Sequence, residues 1–187
     1  MPIYIIEHLE PKISEWCLIE YENISSIVGR KNLWFTNIKS GKKLKKLGKI
    51  IKNSASKLKL KNACILDPQA KKLLSPKEAS KFKYFIFGGI LGNSPPKKRT
   101  KKELTSNFSN VEVRNIGKKQ MSTDNAVYTV KQIAAGKNFK SLKFKDTIEI
   151  PLRKYESIIL PYRYNIIENK PLISPKLINF LKRKKGF

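Results

Sequence analysis

The 187-residue chain is poor in the residues that build metal sites and covalent staples: it has two cysteines, one histidine and only 14 acidic side chains. Cys17 and Cys64 lie in apolar surroundings with no CxxC and no Cys/His pairing, which gives poor support for a disulfide framework, structural zinc or any other metal. A single histidine, His8, argues against a His-based triad. Long apolar runs are missing too. The longest, residues 84–87 and 158–160 among them, fall far short of the ~20 residues a membrane span needs. Residues 1–7 lack the design of a secretory signal. The expectation is a cytoplasmic protein that does not enter a membrane.

What the chain has in excess is positive charge: 40 Lys+Arg give a formal +26 and a pI near 10.1. The excess is uneven. Residues 1–37 hold five acids (Glu7, Glu10, Glu15, Glu20, Glu22) against three bases, a net of −2, so the other 150 residues carry +28. Residues 38–62 contain ten lysines and no acid, and the chain closes on Lys182-Arg183-Lys184-Lys185. A field of this size concentrates polyanions, and RNA, free or in a ribosome, is the expected partner. At 40% apolar and 10% aromatic content the chain still has the material for a core.

Strand and helix patterns alternate along the chain. Residues 3–7 read as a buried strand and residues 14–28 as a helix capped by Ser14, with Cys17, Tyr21, Ile24 and Val28 inward and Gly29 closing it. Residues 33–36 form a second strand. A lysine-decorated helix is expected over residues 43–52, with Leu44, Leu47, Ile50 and Ile51 inward. Residues 63–66 are a strand stopped by Asp67-Pro68. Ser75-Pro76-Lys77-Glu78 has the form of a capping box that opens a short helix. Residues 84–87 are a strand running into Gly88-Gly89. Thr100 with Glu103 suggests another capping box, before a strand at 111–114. Ser122 or Thr123 opens a helix through Ala126, Val127, Val130 and Ile133, ended by Gly136. This order predicts an α/β domain with a mostly parallel sheet. Beyond it, residues 147–152 and 158–164 are strand-like, and Ser174-Pro175 starts a basic terminal helix.

In an open α/β sheet the ligand lies beyond the carboxyl ends of the strands. Three turns qualify: Leu66-Asp67-Pro68, Phe87-Gly88-Gly89-Ile90-Leu91-Gly92 and residues 116–124. Their glycines let backbone groups approach a planar ligand. The spacing is neither GxGxxG nor GxxxxGK[ST], which weakens dinucleotide and nucleoside-triphosphate readings. Glu7-His8 stands at the end of the first strand. Two carboxylates are the natural receptor for a guanidinium, through parallel N–H···O bonds, so the acidic N-terminal stretch is a candidate substrate pocket.

Taken together, IYIIEHLE, SEWCLIEY, ILDP, KFKYFIFGGILGNSPPKKRT, IGKKQMSTDNAV and PYRY resemble, in that order, the SPOUT-class methyltransferases, and among them the branch that methylates arginine in a small-subunit ribosomal protein. The resemblance implies S-adenosylmethionine (SAM) as methyl donor. It implies a methyltransferase domain over residues 1–140, with a deep trefoil knot at about 82–135, and a small C-terminal extension, residues 141–187, packing on it. Carried onto this chain, cofactor contacts fall on Asp67, Phe87, Gly88, Gly89, Ile90 and Gly92, and on Ile116, Gly117, Gln120, Met121 and Thr123. Glu7 and Asp124 are the candidates for catalysis, and Glu7, His8 and Glu10 for holding the substrate. The expected partner is a ribosomal protein or ribosomal subunit, with RNA contact through the lysine-rich surface. The expected assembly is a monomer or a knot-mediated homodimer. Two alternatives stand beside this one: methylation of rRNA or tRNA, and RNA binding without catalysis.

Overall fold

The computed structural model describes residues 1–153 and 155–184, so Lys185 of the terminal basic run lies outside the described residues. Nine strands and five α-helices occur in the order β1 (Ile3–His8), α1 (Glu15–Val28), β2 (Leu33–Thr36), β3 (Lys49–Ile50), β4 (Ala63–Leu66), α2 (Pro76–Ala79), β5 (Tyr84–Gly89), α3 (Arg99–Glu103), β6 (Glu112–Arg114), α4 (Thr123–Ala134), β7 (Phe144–Arg153), β8 (Glu156–Ile167), β9 (Lys170–Pro171) and α5 (Pro175–Lys184), counted among the described residues. The first six strands form a parallel sheet in the order β3-β2-β1-β5-β4-β6.

Side-chain alternation sorts the central strands between two layers. Tyr4 and Ile6 of β1, Cys64 and Leu66 of β4, and Phe85 and Phe87 of β5 face α1 and α4, meeting Tyr21, Ile24, Val127, Val130 and Ile133. Ile5, Ile65 and Ile86 turn to the opposite layer, where Ala55 and Leu104 cover them. Burial on both faces is why these strands read as short unbroken apolar runs. Ser14 caps α1 by accepting from Cys17 N, and the Gly29 N–H returns to Ser25 O. Truncating Ile24, fully buried between the helix and the sheet, would cost roughly 2–5 kcal/mol.

Two local expectations fail. Residues 43–52 are not a helix but a 3-10 turn, Lys42–Lys46, followed by the edge strand β3. Gly48 presses on β2 so closely that a Cβ there would stand 2.5 Å from Leu33 O. The chain therefore passes along the sheet, and Ile50 pairs with Phe35. Thr100 is not a cap either. It sits inside α3, whose Glu103 turns to Arg99 through bonds of 2.8 and 2.9 Å.

Strands β7, β8 and β9 form a separate antiparallel sheet. Ile148, Ile150, Ile158, Leu160 and Tyr164 pack with Leu177 and Leu181 of α5 and with Ile19 of α1. Helix α1 therefore lies between the two sheets. A buried amide network binds the units further: Asn125 accepts from Asn165 N at 2.8 Å, and Thr129 donates to Asn165 at 3.1 Å.

Candidate active site

The carboxyl ends of β4, β5 and β6 open onto a cavity of about 510 Å³, within the ~300–1,000 Å³ of small-molecule sites. Its walls come from residues 66–69, from the loop after β5 and from residues 116–121 with Thr123 and Ala126. A fourth wall comes from the C-terminal sheet, at Asp146, Thr147, Pro161, Tyr162 and Arg163. Of the residues expected to hold the cofactor, Asp67, Phe87, Gly88, Ile90, Gly92, Ile116, Gly117, Gln120, Met121 and Thr123 all line it.

Side chains brace the loops. Asp67 accepts from Gln69 N at 2.8 Å and from Thr105 Oγ1 at 2.7 Å. Gln120 Nε2 donates to Asn93 O at 3.2 Å and ties the two glycine loops together. Arg163 N donates to Gln120 O at 2.8 Å, hanging β8 on the second loop. Asp146 receives Arg163 and Lys119, and these two cations hold its carboxyl well below the usual range.

The glycines show how tightly the loops approach. A Cβ on Gly92 would stand 2.5 Å from the Tyr162 ring, and Gly117, at φ +90°, would push one to 2.8 Å from Phe139. Gly89 is the exception to the expected set and does not line the cavity. It faces α1, with the Tyr21 hydroxyl 2.5 Å from where its Cβ would be, so its smallness serves packing.

The residues expected to hold substrate are drawn elsewhere, and strand alternation explains it. Glu7 points to the face opposite α1, is 3% exposed, and accepts from Thr36 Oγ1 and from Ala55 N at 2.9 Å. It does not line the cavity. His8 faces α1, its Nδ1 2.8 Å from the Tyr21 hydroxyl; Nε2 is buried without a partner among the described residues. Burial lowers the pKa of His8, against the pull of Glu10 and Glu7. Glu10 accepts from Leu91 N at 2.9 Å and Arg99 Nη1 at 2.7 Å, so it braces the first glycine loop from behind.

Asp124 opens α4 with both oxygens engaged. Oδ2 accepts from Asn23 Nδ2 at 2.7 Å, and Oδ1 from the Ser122 hydroxyl at 2.6 Å and Asn125 N at 2.8 Å. Beside it stands a residue that sequence reasoning passed over, Glu20 of α1. It is buried and accepts from Trp16 Nε1 at 2.8 Å. Desolvation, and then the charge of Asp124, push its carboxyl up to about 8 against hydrogen bonding from Trp16 and Thr123. The signal in the sequence was the Trp16/Glu20 spacing of four on one helix face.

A parallel sheet with a ligand cavity between the glycine loops after its central strands is the arrangement expected of a SPOUT-class methyltransferase. Trm10 from Thermococcus kodakaraensis shares the fold at a TM-score of 0.58 and 19% identity, over 74% of this chain and 95% of that one. The family described as Protein arginine N-methyltransferase SFM1-like matches residues 3–186, and the chain belongs to it. Protein arginine N-methyltransferase SFM1 of Saccharomyces cerevisiae (strain ATCC 204508 / S288c) is 37% identical over 201 residues, covering 96% of this chain and 94% of that protein. The yeast arginine methyltransferase SFM1 complexed with SAH is similar at a TM-score of 0.88 and 34% identity, over 96% of this chain and 94% of that one. Its complex with SAM covers 98% of this chain and 91% of that one, with the same score and identity.

Proposed function

We propose that the protein transfers a methyl group from SAM to an arginine of a ribosomal protein, in the cytoplasm, and reaches it by docking its basic surface on ribosomal RNA. The observation that carries the reading is the cavity itself, in a chain of the SFM1-like family: glycine loops with no room for a Cβ, and apolar side chains for a purine at Leu66, Phe87, Ile116 and Met121. Lys97 and Lys98 stand at the same cavity and suit the carboxylate of an amino-acid moiety.

When bound, SAM supplies a methyl group on a positively charged sulfur, ready for in-line displacement. What the chain contributes is positioning. Gln120 and Asn93 keep the two loops in register, Glu10 and Arg99 fix the first from behind, and Tyr162 closes the outer side. We place a trefoil knot within residues 82–135. The reading is supported by β5 running between β1 and β4, by β6 lying outside β4, and by the meeting of the loops that follow β5 and β6. We read the protein as a monomer, since the fourth wall of the cavity comes from the chain's own C-terminal sheet. Light scattering at micromolar concentration tests that directly.

The substrate is tested by incubating the protein with methyl-labelled SAM and salt-washed ribosomal subunits, then separating RNA from protein. The expected result is protease-sensitive label recovered as methylarginine after hydrolysis. Label that survives protease and vanishes with ribonuclease would replace this reading with RNA methylation, which the basic residues around the cavity favour.

A further inference from the structure

The ion pairs of this protein are unevenly spread. Every one among the described residues takes its cation from Arg99 or from a residue after it. The ten lysines of residues 38–62 therefore have no acidic partner among the described residues, and no acid lies between them in the chain. Guarding a sheet edge takes one or two such charges, and solubility takes far fewer than this.

The fold gathers these charges around one edge of the parallel sheet. Residues 38–47 pass on the α1 side, where Leu44 joins the core of Ile24 and Phe35. Lys49 and Ile50 then pair with β2 as the outermost strand. From there the chain crosses to the opposite layer, where Ala55 and Leu60 join Ile5 and Ile86.

Two aromatic rings stand on that same layer. Trp34 of β2 is in register with Ile5, and Tyr84 opens β5 in register with Ile3, so alternation turns both away from α1. Their ring centroids are 5.6 Å apart. Both residues are half-buried, and an exposed lysine is held over each: Lys49 Nζ is 4.4 Å from the Trp34 centroid and Lys83 Nζ 5.6 Å from that of Tyr84. Each ring thus turns a face toward solvent beneath a flexible lysine chain. Aromatic faces set among unpaired lysines suit a partner that carries flat π-systems on a polyanionic chain. A polyanion without bases offers nothing to the rings, and an RNA duplex keeps its bases stacked inside.

We propose that Trp34 and Tyr84, with Lys83 and the lysines of residues 38–62, form a docking site for single-stranded RNA, whose unpaired bases stack on the rings as Lys49 and Lys83 turn to phosphates. The inference deepens the RNA docking proposed above and rests on that reading for its partner. Ile3 and Tyr84 begin their strands, so the site lies at the amino end of the sheet, whereas the cofactor cavity opens at the carboxyl ends. RNA held there leaves the cavity free for the methyl donor and an arginine.

The test follows the anisotropy of fluorescein-labelled oligo(U) of about 12 nucleotides against salt, with tryptophan emission recorded alongside and SAH calorimetry as the check on folding. The proteins are wild type, Trp34→Leu, Lys49→Gln/Lys83→Gln and the control Lys137→Gln/Lys182→Gln, which removes the same charge from exposed positions elsewhere. Wild-type emission should be quenched by oligo(U) and not by heparin, and the single strand should bind more tightly than a duplex of equal length. Trp34→Leu should lose the quenching and bind about tenfold or more weakly, with its salt dependence kept. Lys49→Gln/Lys83→Gln should lower the slope of log K against log salt by about 1.4, the worth of two phosphate contacts, while the control keeps the wild-type slope. SAH affinity should be unchanged throughout; should Trp34→Leu lose it, the lysine pair decides alone. The proposal is overturned if the variants bind oligo(U) as wild type does, or if wild type binds it without quenching, and the RNA docking of the reading above then survives on another face. If wild type binds no RNA, the site and the docking fall together. If the variants lose oligo(U) yet methylate salt-washed subunits as wild type does, the RNA site stands and its part in reaching the substrate falls.

Discussion

Replacing Glu7 by alanine separates a structural carboxylate from a catalytic one. Glu7 Oε2 accepts from both Thr36 Oγ1 and Ala55 N, with Thr36 and Ala55 fully buried. On removal of the carboxylate the Thr36 hydroxyl still has Ile6 O at 3.4 Å to turn to, but the Ala55 N–H is left without an acceptor. An orphaned buried donor costs about 1–3 kcal/mol, and the lost side-chain packing adds about 1 kcal/mol. The expected total is about 3 kcal/mol. For a chain of 187 residues that corresponds to a fall in Tm of about 6–12 °C. Glu7→Gln keeps an oxygen acceptor and should cost only about 1 kcal/mol. Scanning calorimetry gives both values. SAH titration and methyl transfer well below the melting range then ask whether the survivors still work, and they should. A Glu7→Ala protein that melts like wild type and binds SAH, yet no longer methylates, would refute the assignment and return Glu7 to the reacting centre.

Gly92→Ala forces a methyl group to within 2.5 Å of the Tyr162 ring. Because Gly92 is exposed, thermal stability should change little, whereas calorimetry should find SAH bound about tenfold or more weakly, about 1.4 kcal/mol. Stability should also depend on pH through Glu20, whose folded pKa of about 8 lies above its unfolded value. The folded state holds the extra proton, so the contribution is complete below the unfolded pKa of about 4.3 and is lost as pH rises through about 8. Urea midpoints measured from pH 5 to 9 should show that decline in wild type and not in Glu20→Gln. Asn165→Ala removes the amide that donates to Asn125 O and Oδ1 and accepts from Thr129, while the Asn165 N–H to Asn125 and the Thr129 bond to Asn125 O remain, and should cost about 1–3 kcal/mol in urea unfolding with the native fold retained.

The central strands and α1 are legible in the sequence because apolar runs and a serine cap are local signals. The failure over residues 43–52 was of another kind: the spacing of Leu44, Leu47 and Ile51 fits a helix, but the chain there pairs alongside β2, with Gly48 close against Leu33 O. The cofactor loops were readable because a backbone approach demands glycine and leaves it in the sequence, although Gly89 meets that demand against Tyr21 rather than toward the cavity. The burial of Glu20 was not readable. Along the helix Glu20 looks like Glu15 and Glu22, and what distinguishes it is the arrival of Asp124 from α4 and Tyr162 from β8. Glu7 drew attention by standing at a strand end beside His8, yet alternation turns it to the far face of the sheet.

The walls of the cavity are spread along the chain from Leu66 to Arg163, and the last of them hangs on the second loop through the Arg163 N–H. During synthesis the six parallel strands are therefore complete, at Arg114, well before any cavity exists. A ligand stabilises only those states that contain its site, so SAM does nothing for a nascent sheet and acts on the chain only after β8 has emerged. Early termination anywhere before Arg163 leaves a protein that has most of its core, exposes the inner side of its glycine loops, and has no ligand to hold them closed.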